Sequence, residues 1–244
     1  MAFSKTIVLI TGANQGIGYE TAKNLLVSSS NYHIILGSRD LTNGTEAALA
    51  LLKCPIKGTV ESVQIDVTDD DSVDAAARKV KDSFGRLDIL VNNAGIGARQ
   101  NPSIRDAMRE VLAVNVVGVV SVTEAFLPLL RKSSAPRLIF VSSTTGSITI
   151  AADPTGPLHG GGAMDYRSSK AALNMLMVLY WNRLEQEGFK VFGANPGLIA
   201  TNFHGGGRPG SEPAVGGERI AAVVRGDRDA DVGKVCTANG VLPW

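Results

Sequence analysis

Tyr166 and Lys170 stand four residues apart in Tyr166-Arg167-Ser168-Ser169-Lys170, a spacing that puts both on one face of a helix. A phenol, with an ordinary pKa of about 10, exchanges protons poorly near neutrality, and a neighbouring ammonium that lowers it makes it useful. By itself the pair carries little, because Tyr and Lys meet at this spacing by chance in many helices. Its meaning comes from what else reaches the same place. Val141-Ser142-Ser143-Thr144 closes an apolar run, and a hydroxyl there can hold a substrate oxygen. Val91-Asn92-Asn93-Ala94-Gly95 and Asn195-Pro196-Gly197-Leu198-Ile199-Ala200-Thr201 follow two further runs of the same kind. All three segments fall where the carboxyl ends of strands meet, the edge at which open α/β sheets bind ligands.

A second kind of chemistry precedes these. Thr11-Gly12-Ala13-Asn14-Gln15-Gly16-Ile17-Gly18 lies between the first apolar run and a helical stretch. A glycine-rich turn there lets the backbone approach a pyrophosphate, to which the helix N-terminus offers unpaired N–H groups. The second run ends Gly37-Ser38-Arg39-Asp40, about where the ribose of a dinucleotide is read. An acidic residue in that place would repel a 2′-phosphate, whereas Ser38 followed by Arg39 favours NADP(H) over NAD(H). The competing reading is a surface pair between Arg39 and Asp40. Gln15 adds no second positive charge beside the turn.

The elements needed to hold these residues alternate along the chain. Strand-like runs are Thr6 to Ile10, His33 to Leu36, Val60 to Ile65, Leu87 to Val91, Arg137 to Val141, Lys190 to Ala194 and one near Lys234 to Ala238. Between them lie helical stretches at Gly18 to Val27, Asn43 to Leu52, Asp71 to Phe84, Asp106 to Leu130, Tyr166 to Gln186 and Pro213 to Val224. Most strand runs are continuously apolar, as expected where helices cover both faces. The pattern predicts one α/β domain over residues 1–244, a doubly wound, Rossmann-type parallel sheet of seven strands. Two Gly/Pro-rich stretches, Pro154 to Gly162 and Gly205 to Gly217, predict substrate-mouth loops at about 146–165 and 201–217.

With 24 Lys plus Arg against 23 Asp plus Glu, the formal charge is +1 and no basic cluster suggests nucleic acid. The 44% hydrophobic content excludes global disorder. No apolar run approaches a membrane span and no signal-peptide pattern precedes the first strand, so a soluble, cytoplasmic protein is expected. Cys54 and Cys236 have no metal-ligand spacing and are expected to be reduced thiols. Asp69, Asp70 and Asp71 read as the start of a helix. His33 reads as structural, His159 and His204 as mouth-loop residues, and no His/Cys/carboxylate cluster suggests a metal.

Together, TGANQGIG, Asp66-Val67, NNAG, Val114-Asn115-Val116, the serine strand, YRSSK and NPGLIAT resemble, in order, the motifs of the short-chain dehydrogenase/reductases, in their small single-domain, carbonyl-reductase-like branch. The resemblance covers Thr6 through about Val235. It implies that Gly12, Gly16, Ile17 and Gly18, with Asn14 and Gln15 in the same turn, cradle a pyrophosphate, and that Asp66 and Val67 touch the adenine. It further implies that Asn93, Ala94 and Gly95 support the adenosine side, and that Pro196, Gly197, Ile199 and Thr201 hold the nicotinamide. The catalytic set it implies is Asn115, Ser143, Tyr166 and Lys170: Tyr166 as proton donor, Lys170 on the nicotinamide ribose, Asn115 holding a water that links Lys170 to solvent.

From Ser143 to Tyr166 is 23 residues, against about a dozen more often in the family. The extra length, Pro154 to Met164, predicts a flap over the substrate mouth, and it leaves the choice between Ser142 and Ser143 open, with Ser143 favoured. Ile96, Arg99, Ile148, Leu158, Trp181 and Phe203 are candidate pocket walls. The resemblance also implies a homodimer or homotetramer built on the Asp106 to Leu130 helix and the helix of Tyr166. The expected activity is NADPH-dependent reduction of a ketone or aldehyde. The alternatives are an NAD-dependent alcohol dehydrogenase and a non-catalytic dinucleotide sensor.

Overall fold

The apolar, β-branched runs form a sheet buried on both faces, and the helices between them supply the covering layers. The computed structural model describes residues 5–97, 103–201, 203 and 210–244. In chain order the elements are β1 (Thr6–Ile10), α1 (Gly16–Ser28), β2 (Tyr32–Ser38), α2 (Leu41–Leu52), β3 (Thr59–Gln64), α3 (Asp70–Phe84), β4 (Ile89–Asn92) and α4 (Ile104–Leu112). Then follow α5 (Gly118–Leu130), β5 (Arg137–Val141), α6 (Ile148–Ala152), α7 (Met164–Leu184), β6 (Lys190–Ala194), α8 (Pro213–Arg225), β7 (Val235–Thr237) and β8 (Gly240–Leu242).

The sheet order is β3-β2-β1-β4-β5-β6-β7-β8. The seven expected strands are all parallel, and the three-residue β8 adds an antiparallel edge strand on β7. Strand order reverses between β1 and β4, so a crevice opens there above the carboxyl ends, the topological switch point at which such sheets bind ligands.

One apolar layer packs α3, α5 and α7 on the sheet around Phe126, Phe140 and Met177. The opposite layer packs α1, α2 and α8 around Leu25, Ile34 and Phe192. The aspartates read as a helix start do that work: Asp69 caps α3 by accepting from the N–H groups of Asp71 and Ser72. Cys54 and Cys236 are unpaired.

Two features depart from expectation. The helix from Ile104 to Leu130 is interrupted by a π turn at Ala113–Val117, which places Asn115 inside the fold. The same stretch is long and apolar enough by length and composition to cross a membrane, a property no segment was expected to have. Here Val111, Val119, Val122, Phe126, Leu127 and Leu130 are buried in the core, while Ile104 and Val117 are exposed.

Candidate active site

The loops after β1 and β4 are zipped together. Thr11 Oγ1 accepts from the N–H groups of Asn93 and Ala94, each at 3.0 Å, and Asn93 Nδ2 donates to the carbonyls of Thr11 at 2.8 Å and Gly12 at 3.1 Å. This explains the glycines more sharply than the motif does. A Cβ on Gly18 would lie 2.5 Å from Asn93 Nδ2, and one on Gly12, at φ +62°, 2.9 Å from Ala94 Cα. Gln15 leads into α1 without a side-chain cap. The first amides of the helix therefore face the crevice with the positive end of the helix dipole, which suits a pyrophosphate.

At the end of β2, Arg39 and Asp40 do not pair with one another. Asp40 caps α2, accepting from the Asn43 N–H at 2.8 Å, and among the described residues the exposed Arg39 guanidinium makes neither an ion pair nor a hydrogen bond. Ser38 is buried and its hydroxyl donates to the Asp40 carbonyl at 2.7 Å, so it has no proton left for a ligand, although its oxygen can still accept. Asp66 Oδ1 accepts from Thr68 N at 2.9 Å and Thr68 Oγ1 at 2.7 Å. Val67 is buried, its carbonyl 2.6 Å from where a Gly118 Cβ would be.

At the chemistry end the structure resolves the serine pair. Ser142 Oγ turns inward and donates to Asn174 Oδ1 on α7, whereas Ser143 hydrogen-bonds the Tyr166 hydroxyl. Burial pushes the Tyr166 phenol up to about 12, with the Ser143 bond pulling the other way. Lys170, 5% exposed, lies with Nζ 5.6 Å from the Tyr166 ring centroid and donates to the Val141 carbonyl at 2.8 Å. Burial lowers it to about 8. Ser143, Tyr166 and Lys170 thus form one cluster at the carboxyl end of β5.

Asn115 reaches the cluster from the π turn. Its Nδ2 donates to Ile96 O at 2.9 Å and Ser169 Oγ at 3.0 Å, and its Oδ1 accepts from Ile96 N at 2.8 Å. Both amide protons are committed, so a water here would be held by a remaining lone pair or the main chain rather than by the Nδ2 group. Ser169 Oγ in turn donates to the Tyr166 carbonyl at 2.7 Å.

The loop after β6 is held from an unexpected direction. Arg219 on α8 donates to the Pro196 carbonyl at 2.6 Å, and its Nη1 fills the space where a Cβ on Gly197, at φ +88°, would sit. Asn195 joins this loop to the serine loop through Nδ2 to Thr144 Oγ1 at 2.6 Å. Ile199 is buried against Gly216, which Ile17 also approaches, and Thr201 approaches Gly16. Arg219, Ser169 and Asn174 escaped the sequence reading because each acts across a tertiary contact that no local spacing announces.

At the mouth, Phe203 stands edge-on to Tyr166 with ring centroids 5.6 Å apart. Arg167 ties the glycine-rich insertion to the start of α7, donating to Gly160 O at 2.7 Å and Leu158 O at 2.8 Å. Ile96 is half-buried, Ile148 and His159 are exposed. Trp181 is not a pocket wall: its ring packs under Gly233, where a Cβ would lie 2.6 Å away, because that face of α7 turns to the core. Arg99 and His204 lie outside the described residues. His33 bonds Thr59 and packs on Phe84, as a structural residue should. No metal-holding group of His, Cys, Asp and Glu occurs among the described residues.

Comparison with known proteins decides the family. Residues 6–210 match the short chain dehydrogenase family model. The chain is a short-chain dehydrogenase/reductase. This short-chain dehydrogenase/reductase is 38% identical over 258 residues to the short-chain dehydrogenase/reductase tropE of Talaromyces stipitatus, covering 97% of this chain and 96% of that one. It is 35% identical over 222 residues to salutaridine reductase of Papaver bracteatum, covering 76% and 70%. Among solved structures, NADPH-bound carbonyl reductase from chicken fatty liver superposes with a TM-score of 0.82 at 31% identity, over 99% of this chain and 100% of the other.

Proposed function

We propose that this short-chain dehydrogenase/reductase reduces a ketone or aldehyde with NADPH, using Tyr166 as proton donor. The observation that carries the reading is the cluster of Ser143, Tyr166 and Lys170 at the switch-point crevice. The glycine cradle and the uncapped N-terminus of α1 fit a dinucleotide, and the exposed Arg39 guanidinium, without a partner among the described residues, fits a 2′-phosphate. When bound, the dinucleotide supplies the hydride.

The chain's own residues supply the rest. Ser143 and Tyr166 present hydroxyls to the carbonyl oxygen, donors placed where negative charge develops. Burial raises the phenol to about 12, opposite to the lowering expected from the Lys170 ammonium, so Tyr166 is protonated at neutral pH and holds the proton the new alkoxide takes. Lys170, cationic below about 8, stabilises the tyrosinate left behind from beneath its ring. Asn115 and Ser169 fix the first turn of α7 and with it the direction of the phenol. Phe203 and the insertion tied by Arg167 wall the mouth.

Two finer readings accompany this one. Met175 and Leu179, one turn apart on α7, are 59% and 53% exposed, which suits burial in a homo-oligomer. Two free thiols suit the reducing cytoplasm.

Fluorescence titration with NADPH and NADH, followed by turnover of a ketone and aldehyde panel, tests the reading. A charge-assisted bond from Arg39 is worth about 1.5–3 kcal/mol, so NADPH should bind about 10- to 100-fold tighter than NADH. Arg39→Asp should reverse the order. Binding of neither dinucleotide overturns the reading.

A further inference from the structure

Four consecutive hydroxyls follow β5, and the structure sends each to a different place. Ser142 donates to Asn174 in the core; Ser143 meets Tyr166; Thr144 accepts from Asn195 in the loop after β6. Thr145 returns to Ser143: its Oγ1 lies 2.9 Å from Ser143 Oγ, and its N–H donates to the same oxygen at 3.2 Å. Among the described residues the Thr145 hydroxyl has no other hydrogen-bond partner.

Proton counting then separates two arrangements. Ser143 Oγ has one proton and two lone pairs, and one lone pair is taken by the Thr145 N–H. If Ser143 donated to Thr145, its proton would point away from the crevice and the oxygen facing Tyr166 could only accept. If Thr145 donates to Ser143, both lone pairs of Ser143 are filled and its proton points into the crevice. Only the second arrangement places a donor where negative charge forms during carbonyl reduction, and donation into Ser143 polarises the bond it makes in turn.

We propose that Thr145 is a positioning residue for the reduction: its hydroxyl donates to Ser143 Oγ and so holds the single Ser143 proton on the reacting oxygen. This rests on the carbonyl-reductase reading above. Its action on the reaction runs through Ser143, the group its hydroxyl meets.

The test is a double-mutant cycle of Thr145→Val with Ser143→Ala, with Thr145→Ser as conservative variant and Tyr166→Phe as control. A hydrogen bond worth about 1 kcal/mol predicts that Thr145→Val lowers kcat roughly three- to tenfold. KM and the NADPH Kd read by fluorescence should stay within about twofold, because the hydroxyl removed acts on the proton of Ser143 and not on binding. Thr145→Ser should stay within about twofold of wild-type kcat, and Thr145→Val should cost nothing further once Ser143 is Ala. Unchanged kcat in Thr145→Val overturns the proposal, as does an equal loss in the Ser143→Ala background. Full activity in Tyr166→Phe would instead sink the carbonyl-reductase reading, so the two failures are distinguishable.

Discussion

Replacing Lys170 by Met should abolish turnover and yet stabilise the fold. Lys170 is 5% exposed, and among the described residues its Nζ meets one acceptor, the Val141 carbonyl at 2.8 Å, and no carboxylate within ion-pair distance. Burial therefore lowers it from 10.5 to about 8. A folded-state pKa below the unfolded one means that the unfolded chain binds more protons between about 8 and 10.5, so stability rises with pH across that window. Below about 8 the folded protein carries the full cost of a buried cation, a gap of about 2.5 units or about 3 kcal/mol. Methionine has similar length and no charge, and the lost bond to Val141 costs about 1 kcal/mol. Lys170→Met should thus be about 2 kcal/mol more stable at pH 7, some 5 °C in Tm for a chain of this size. That advantage should vanish and reverse slightly above about pH 10.5. Urea unfolding of both proteins without dinucleotide, from pH 7 to 10.5, measures the difference directly. A variant less stable than wild type at pH 7, or a difference that does not change with pH, would show that the buried Lys170 charge does not cost the fold stability. Such a gain, bought with activity, is the usual signature of a strained functional site.

Gly18→Ala puts a Cβ 2.5 Å from Asn93 Nδ2 and 2.9 Å from Gly12 O. It should weaken NADPH binding more than tenfold and cost about 1–3 kcal/mol in urea unfolding, since overpacking forces the two loops apart. Arg219→Met removes the donor to Pro196 O and should raise the dinucleotide KM several-fold while kcat falls less; a KM unchanged from wild type would show that the loop after β6 holds itself.

The sequence exposed the parts of this site that repeat with secondary-structure period. Strand runs, the glycine turn and the Tyr166/Lys170 face are local patterns, and the seven parallel strands and their carboxyl-edge loops follow from them. The eighth strand, Gly240–Leu242, is three residues long and shows no period at all. The π turn adds one residue to a helix without changing its composition, so Ala113–Val117 reads as plain helix until Asn115 is seen turned inward. The sequence favours Ser143, but which serine meets Tyr166 is seen only in the structure, because the insertion before Tyr166 removes the spacing that would set the register. Trp181 was misplaced for a related reason: in α7 an aromatic can face either the mouth or the core, and only the close approach of Gly233 shows which. Arg39 stays open between a 2′-phosphate and a surface partner, because the capping of α2 by Asp40 removes only the neighbouring carboxylate.

The proposed reduction pairs proton donation by Tyr166 with hydride transfer from NADPH. Incubating the enzyme with NADPH deuterated at C4 and the ketone and aldehyde panel, then reading deuterium in the alcohol by mass spectrometry, tests it most directly. Wild type should place one deuterium on the carbinol carbon, and Tyr166→Phe, still binding NADPH, should form that product about 10²- to 10⁴-fold more slowly. Deuterated alcohol formed at the wild-type rate by Tyr166→Phe would rule out Tyr166 as the proton donor.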